Sequence, residues 1–293
     1  MPLCYFRPRE DAHDFQMLGW VDVTAGRIAP LDSSLADLLE MPAAARTEQI
    51  RDEVATADAH VSLDDAWLLP PVDEQEVWAA GVTYERSRDA RMEESQTDDI
   101  YDRVYDAERP EIFFKAPAYR CVGPYEPVAF RHDSDWNVPE PELALVIDGR
   151  GEIAGYTIGN DVSSRSIEGD NPLYLPQAKV YTAGCALGPW IMLADEVANP
   201  RDLRIAMRIE RDGTDAWQGE TSTARMHRSF ENLIDCLFAA LEFPVGVVLM
   251  TGTGLVPPAE FTLAQNDIVH IEIDGIGTLS NHVRRLTPRK RGS

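Results

Sequence analysis

From Leu143 to Ile147 five apolar residues run together, Asp148, Gly149 and Gly151 mark a turn, and a second apolar run covers Ile153 to Ile158. Apolar runs of strand length on either side of a turn predict a β-hairpin. Strand patterns recur along the chain: FQMLGWVDVT and GRIAPL near the start, then EVWAAGVTY, EIFFKA and IMLADEV. LRIAMRIERDGTDAWQGETS predicts a hairpin turning at Asp212-Gly213, GVVLMTGTG a strand entering a Gly/Thr turn, and DIVHIEIDGIGTLSNHV two closing strands. Helical patterns are fewer. SSLADLLEM carries a Ser cap and apolar spacing for a brief helix, and RTEQIRDEVATADA a polar, solvent-facing one. Arg225 to Leu241 predicts the clearest helix, with Met226, Phe230, Leu233, Ile234, Leu237, Phe238 and Leu241 on one core-facing stripe. SRDARMEESQTDDIYDRVYDAERPE predicts one or two exposed helices with a loop, placed to lie over a cleft. SSRSIEGDNPLYLPQAKVYTAGCALGPW, rich in Gly, Pro, Asn and Ser, predicts a long connection of the functional or disordered kind.

Strands dominate from residue 75 on, without βαβ alternation, which excludes a Rossmann fold and predicts a mixed, β-rich α+β class. The Pro pair in LLPPVD, near Leu68 to Asp73, interrupts both helix and central strand. The expected division is a small N-terminal domain over 1–70, for packing or oligomerisation, and a larger domain over 71–293. The basic tail TPRKRGS is expected to fray.

Composition narrows the partners. The 293 residues are 44% hydrophobic, which makes the chain globular, and carry a net charge of −23, which argues against nucleic acid and anionic membrane. The four cysteines (Cys4, Cys121, Cys185, Cys236) show no metal spacing and fit reduced thiols in a cytoplasmic protein. MPLCYFRPRE does not read as a signal peptide, so none is expected, and no run of about 18 apolar residues would span a membrane.

The chemistry concentrates in the hairpin. Glu140 and Glu142 are two apart, so on a strand they share a face, roughly 6–7 Å apart. The returning strand can bring Asp161 beside them. Three converging carboxylates repel one another and lose hydration. A hard cation such as Mg²⁺ resolves that; an exposed acidic strand end is the plainer alternative in so acidic a chain. Lysine occurs three times only, at Lys115, Lys179 and Lys290, arginine having taken the other basic positions. A desolvated lysine can act as a base, which arginine cannot, so Lys179 and Lys115 are candidates, against chance retention. Glu111 is an acid/base candidate or a surface glutamate. Thr251 and Thr253 sit in a glycine-rich turn whose N–H groups could bind a carboxylate or could simply turn. TGTG is not a phosphate loop, lacking the following GK[ST]. The histidines form no ligand pair; His60, His132 and His270 read as surface or structural.

With these residues set out, the chain resembles the fumarylacetoacetate hydrolase superfamily, through LLPPVDEQEVWAAGVTY, PEIFFKAPAYRCVG, VPEPELALVI, GYTIGNDVSSR, QAKVYTAGCALGP and LMTGTG. SRDARMEES, DIYDRVYDAERPEIFFKA and DNPLYLPQAKVY make it most similar to the branch that dehydrates 2-keto-3-deoxy sugar acids. The resemblance implies a fumarylacetoacetate hydrolase-like β-roll with a small N-terminal domain, and a homodimer or homotetramer. It implies Glu140, Glu142 and Asp161 as ligands of Mg²⁺ (or of Mn²⁺ or Ca²⁺ in its place), Lys179 as the active-site lysine, and Thr253 as a contact to the substrate carboxylate. Family hydrolases carry a water-activating His-Glu pair; in GVTYERSRDA those positions hold Ser87 and Ala90. In KVYTAG the usual Asp is Thr182.

Loss of the dyad favours dehydration over hydrolysis. The expected reaction is Mg²⁺-dependent dehydration of a 2-keto-3-deoxypentonate to 2,5-dioxopentanoate. Lys179 would be the base, its pKa depressed by burial and the cation, and Glu111 the acid. Ser87, Arg88, Lys115 and Thr253 would contact the substrate, a small 2-oxo acid. Alternatives within the superfamily are an acylpyruvate hydrolase or oxaloacetate decarboxylase, and outside enzymes a catalytically dead binding module.

Overall fold

The computed structural model describes residues 2–10, 15–85 and 100–288. In chain order its strands begin with β1 (Pro2–Pro8), β2 (Met17–Asp22), β3 (Arg27–Pro30), β4 (Val61–Ser62), β5 (Ala66–Leu69) and β6 (Glu76–Gly81). Then come β7 (Glu111–Pro117), β8 (Cys121–Val122), β9 (Val128–Phe130), β10 (Asn137–Val138), β11 (Pro141–Ile147), β12 (Ile153–Asp161) and β13 (Ser163–Ser164). β14 (Cys185–Leu193), β15 (Arg204–Arg211), β16 (Thr214–Ser222), β17 (Val247–Met250), β18 (Ile268–Ile273) and β19 (Gly277–Arg285) complete the set. The helices are short: α1 (Leu35–Glu40), α2 (Ala43–Thr56), α3 (Ile100–Asp106), α4 (Arg165–Asp170), α5 (Leu175–Lys179) and α6 (Phe230–Phe238).

One sheet runs β4-β3-β2-β1-β14-β12-β11-β17-β6-β7, with β5 beside β1 and β8 beside β14; a second runs β16-β15-β18-β19-β9. Parallel pairs (β6–β17, β8–β14, β9–β19) stand among antiparallel ones, so the class is mixed and β-rich, as expected. The Pro70–Pro71 pair follows β5, and residues 1–70 join the large sheet through the β1–β14 ladder.

β11 is buried along its whole length because it has a core on each face. Leu143, Leu145 and Ile147 pack with Ile205, Ile209 and Ile271 of the second sheet and with Leu233 of α6. Ala144 and Val146 point the other way, into the cluster that holds Leu35, Leu38 and Ile50 of α1 and α2. Alternation along the strand therefore puts Glu140 and Glu142 on the Ala144 side.

Two expectations are corrected. The helix foreseen over 225–241 is only α6, because the Ser229 side chain accepts the Asn232 N–H at 3.1 Å and caps it there. Met226 instead bridges to Tyr84, and Leu241 is exposed. The long connection over 163–190 is mostly ordered structure. Asn171 caps a turn through Leu173, Pro172 and Pro176 start short helical segments, and Cys185 onward is β14, paired with both β12 and β1. Among the described residues, no helix is long and apolar enough to cross a membrane.

Candidate active site

The β11–β12 hairpin sets the register of the site. Its turn is held by Asp148, fully buried, whose carboxylate accepts the Arg150 N–H at 2.9 Å and the Glu152 N–H at 3.1 Å and lies 3.6 Å from Arg46. With the turn fixed, Glu142 faces Gly159, and the Asp161 N–H donates to the Glu140 carbonyl at 3.0 Å. Asp161 thus returns beside Glu140, as the hairpin reading expects. One oxygen from each of Glu140, Glu142 and Asp161 lies within 4.8 Å of the others. All three residues are buried, so the exposed-strand-end alternative does not hold.

Lys179, last residue of α5, enters from the segment after the hairpin. Its Nζ donates to Glu140 Oε2 at 2.5 Å, to Asp161 Oδ2 at 3.0 Å and to Ser163 Oγ at 2.5 Å. Phe113 of β7 lies beneath it, with Nζ 5.8 Å from the ring centre. Ala80, Gly81, Val82, Phe113, Thr253, Lys179 and the three acids line one small pocket. Val82 holds φ at +53°, a strained backbone for a β-branched residue. Gly252 is at φ +90°, and its N–H donates to Glu142 Oε2 at 2.6 Å. The glycine turn does bind a carboxylate, and it is the chain's own.

The remaining expected residues fall in three groups. Glu111 stands opposite Gly81 on β7, on the Phe113 face, and a Cβ on Gly81 would lie 2.0 Å from its Oε2, so its carboxyl packs against Gly81, although Glu111 is not itself among the pocket-lining residues. Thr253 lines the pocket, but its Oγ1 donates to the Leu255 carbonyl at 3.0 Å. Lys115, expected on the substrate, is not among the pocket-lining residues; its Nζ pairs with Asp161 and donates to the backbone carbonyls of Lys179 at 2.6 Å and Val162 at 3.2 Å. Ser87 and Arg88, with most of the charged segment around them and the end of the tail, lie outside the described residues. Thr251 is structural, donating to Leu143 at 2.9 Å, and Thr182 is exposed.

Sequence reasoning missed Arg165, which is buried, pairs with Glu140, and lies 3.8 Å from the buried Glu168. It missed Ser163 and Gly252 as well. Ser163 and Arg165 continue the every-second-residue rhythm from Asp161, which places Ser163 on its face, while nothing in the sequence marks Arg165 among so many arginines.

The charges do not balance. Three cations (Lys115, Lys179, Arg165) face four buried acids (Glu140, Glu142, Asp161, Glu168). The consequence appears at Glu142: burial, then the charges of Asp161 and Glu140, push its carboxyl well above the usual range, against the pull of Lys179 and the Gly252 N–H. Burial, and then the Glu142 charge, also push the Tyr84 phenol up. An all-oxygen donor set short of positive charge fits a hard divalent cation. A larger open groove of about 590 Å³ on the outer face of β15, β16 and β18 has no such convergence, its Arg204 and Arg208 being paired with Glu220 and Asp215.

The family model described as "Fumarylacetoacetate (FAA) hydrolase C-terminal" matches residues 76–284. The chain belongs to the fumarylacetoacetate hydrolase family. Within that family it is 48% identical over 271 residues to a "Probable 2-keto-3-deoxyxylonate dehydratase" of Haloferax volcanii, covering 89% of this chain and 93% of that protein. It is 46% identical over 227 residues to the "2-dehydro-3-deoxy-D-arabinonate dehydratase" of Saccharolobus solfataricus, covering 76% of each. A solved structure described as "2-keto-3-deoxy-D-arabinonate dehydratase complexed with magnesium and 2,5-dioxopentanoate" superposes with a TM-score of 0.82 at 36% identity, over 98% of this chain and 100% of that one. The β-roll of the family is therefore the fold.

Proposed function

We propose that this protein is a Mg²⁺-dependent hydro-lyase that dehydrates a 2-keto-3-deoxypentonate to 2,5-dioxopentanoate in non-phosphorylative pentose breakdown. The observation that carries the reading is the buried triad of Glu140, Glu142 and Asp161 with Lys179 Nζ bonded to Glu140 and Asp161. High identity to dehydratases over most of the chain, and magnesium with 2,5-dioxopentanoate in a structural neighbour, support the same reaction.

The triad would hold Mg²⁺ (Mn²⁺ and Ca²⁺ share its preference for oxygen), which supplies Lewis acidity toward the carboxylate and 2-keto oxygens of a 2-oxo acid. Lys179 Nζ would accept a C3 proton, and its bond to Ser163 Oγ keeps the amine aimed into the pocket. The apolar ring of Phe113 lines that side and would keep water from it. The electrons of the C3–H bond then displace the C4 hydroxyl, which leaves as water after taking a proton. Glu111 would give that proton, its carboxyl lying against the Gly81 wall of the pocket. One C5 proton moved to C3 gives an enol across C4 and C5, and its tautomer is the C5 aldehyde. Thr253, with Ser87 and Arg88 from outside the described residues, are our candidates for the substrate's carboxylate and hydroxyls.

Purified protein incubated with 2-keto-3-deoxy-D-arabinonate and Mg²⁺ should form 2,5-dioxopentanoate, read by proton NMR. EDTA should stop the reaction and Mg²⁺ should restore it. Absence of that product, or turnover indifferent to EDTA, rejects the proposal.

A further inference from the structure

Each acid of the triad has one oxygen already engaged by a donor from a different part of the chain. Arg165, at the start of α4, pairs with Glu140 through Oε1. Lys115, on β7, pairs with Asp161 through Oδ1. The Gly252 N–H, just after β17, holds Glu142 Oε2 at 2.6 Å. The opposite oxygens of Glu140 and Asp161 meet at Lys179 Nζ, at 2.5 and 3.0 Å.

The two cationic anchors are themselves held. The Arg165 N–H donates to the Trp136 carbonyl at 2.8 Å, and Glu168 sits 3.8 Å from its guanidinium. Lys115 is tied to the carbonyls of Val162 and Lys179, so one ammonium fixes both the ligand Asp161 and the backbone of the base. Neither anchor lines the pocket, and both are almost wholly buried. Burying an arginine and a lysine is costly unless each is paired, and a substrate contact explains neither.

We propose that Arg165 and Lys115 are positioning residues: with the Gly252 N–H they restrict each triad acid to one ligating oxygen. The proposal rests on the reading of the triad as the metal site. A carboxylate whose second oxygen is ion-paired cannot turn both oxygens to a cation without breaking that pair. Three single oxygens leave the rest of an octahedron to water and substrate, which suits Mg²⁺ and Mn²⁺. Ca²⁺ prefers more oxygens and readily takes both of a carboxylate's. Releasing an anchor should therefore weaken binding and also tilt preference toward Ca²⁺.

The test measures Mn²⁺ binding to the full chain by the EPR signal of free Mn²⁺, with competition by Mg²⁺ and by Ca²⁺. Arg165→Met and Lys115→Met should each weaken Mn²⁺ roughly 10–100-fold, as loss of an outer-sphere partner does elsewhere. Arg165→Met should also raise the Ca²⁺-to-Mg²⁺ affinity ratio, which lost packing would not change. Arg165→Lys and Lys115→Arg keep the charge and carry the test if the neutral variants do not fold. Arg165→Lys loses the flat two-pronged donor and should bind Mn²⁺ more weakly than wild type but more tightly than Arg165→Met. Wild-type affinity and an unchanged Ca²⁺-to-Mg²⁺ ratio in the folded variants would overturn the proposal. Failure of the wild-type protein itself to bind Mn²⁺ would instead remove the triad reading beneath it.

Discussion

Glu142→Gln should make the metal-free protein more stable while removing its response to Mg²⁺. Glu142 is 1% exposed and stands beside two other acids, so its ionised form is disfavoured, chiefly by burial. Glutamine keeps the shape and keeps an oxygen to accept the Gly252 N–H. Its amide nitrogen becomes a donor toward Asp161 and Glu140. Each pH unit by which burial raises this carboxyl, up to the working pH, takes about 1.4 kcal/mol from the metal-free wild type that a neutral isostere does not lose. At roughly 2–4 °C per kcal/mol for a chain of this size, the melting temperature in EDTA should rise by at least about 2 °C. The pH dependence has a definite sign. The folded pKa of Glu142 lies above its ordinary value of 4.5, so the folded chain holds a proton that the unfolded chain has released. Metal-free wild type therefore loses stability as pH rises from about 4.5 through the raised value. The variant lacks that slope, so its advantage is absent below pH 4.5 and full above the folded pKa. Adding Mg²⁺ reverses the order: at about 100 times Kd the wild type gains roughly 2.7 kcal/mol, and the variant gains nothing. Calorimetric melts across pH, in EDTA and in Mg²⁺, read all three effects. A variant that melts below wild type in EDTA at neutral pH, or that keeps the full Mg²⁺ shift, refutes the reasoning.

Lys179→Met should lower kcat on the order of 10²–10⁴-fold while still binding Mg²⁺, because it removes the proton acceptor and leaves all three acids; steady-state rates and Mg²⁺-dependent melting check the two halves. Glu111→Gln should lower kcat by a comparable factor with little change in KM or metal affinity; unchanged kcat would move the acid elsewhere. Gly252→Ala should destabilise the fold by more than about 1 kcal/mol, since Gly252 sits at φ +90° and the new Cβ would lie 2.1 Å from Thr83 Oγ1. The same substitution should weaken Mg²⁺ by shifting the N–H that holds Glu142, and urea unfolding with metal titration measures both.

How much of this was legible depended on whether a residue's meaning was local. The hairpin could be read because β11 and β12 adjoin in sequence, and the two-residue spacing of Glu140 and Glu142 already specifies a shared face. Lys179 and Lys115 could be singled out because lysine is so scarce here. The same bias hid Arg165: with 24 arginines among the 27 basic residues, one more carries no signal until its burial is seen. Lys115 was noticed as a base or substrate contact, but its direction, into an ion pair with Asp161, depends on the pairing of β7 with β6, which no local pattern encodes. CALGPW looked like loop because Gly188 and Pro189 dominate its local preference. It is a strand because β12 and β1, both far off in sequence, flank it. The stripe over 225–241 was real in its middle, where Phe230, Leu233, Ile234 and Leu237 are buried, and ran too far because apolar spacing does not show where Ser229 caps.

The charge count links the site to its choice of substrate. At the site four buried acids (Glu140, Glu142, Asp161, Glu168) meet three buried cations (Lys115, Lys179, Arg165), and the pressure of that deficit falls on Glu142. In the metal-free chain a proton on Glu142 brings the cluster to neutrality. A divalent cation in its place would allow Glu142 to ionise and, while Lys179 still carries the proton it must shed to act as base, leave one positive charge in excess. A single substrate carboxylate cancels it. A 2-keto-3-deoxypentonate carries one such group, whereas oxaloacetate carries two and would leave an uncompensated negative charge in a dry site. With Lys179 protonated as substrate enters, the buried charges that call for the metal therefore favour a monocarboxylate over a diacid beside it.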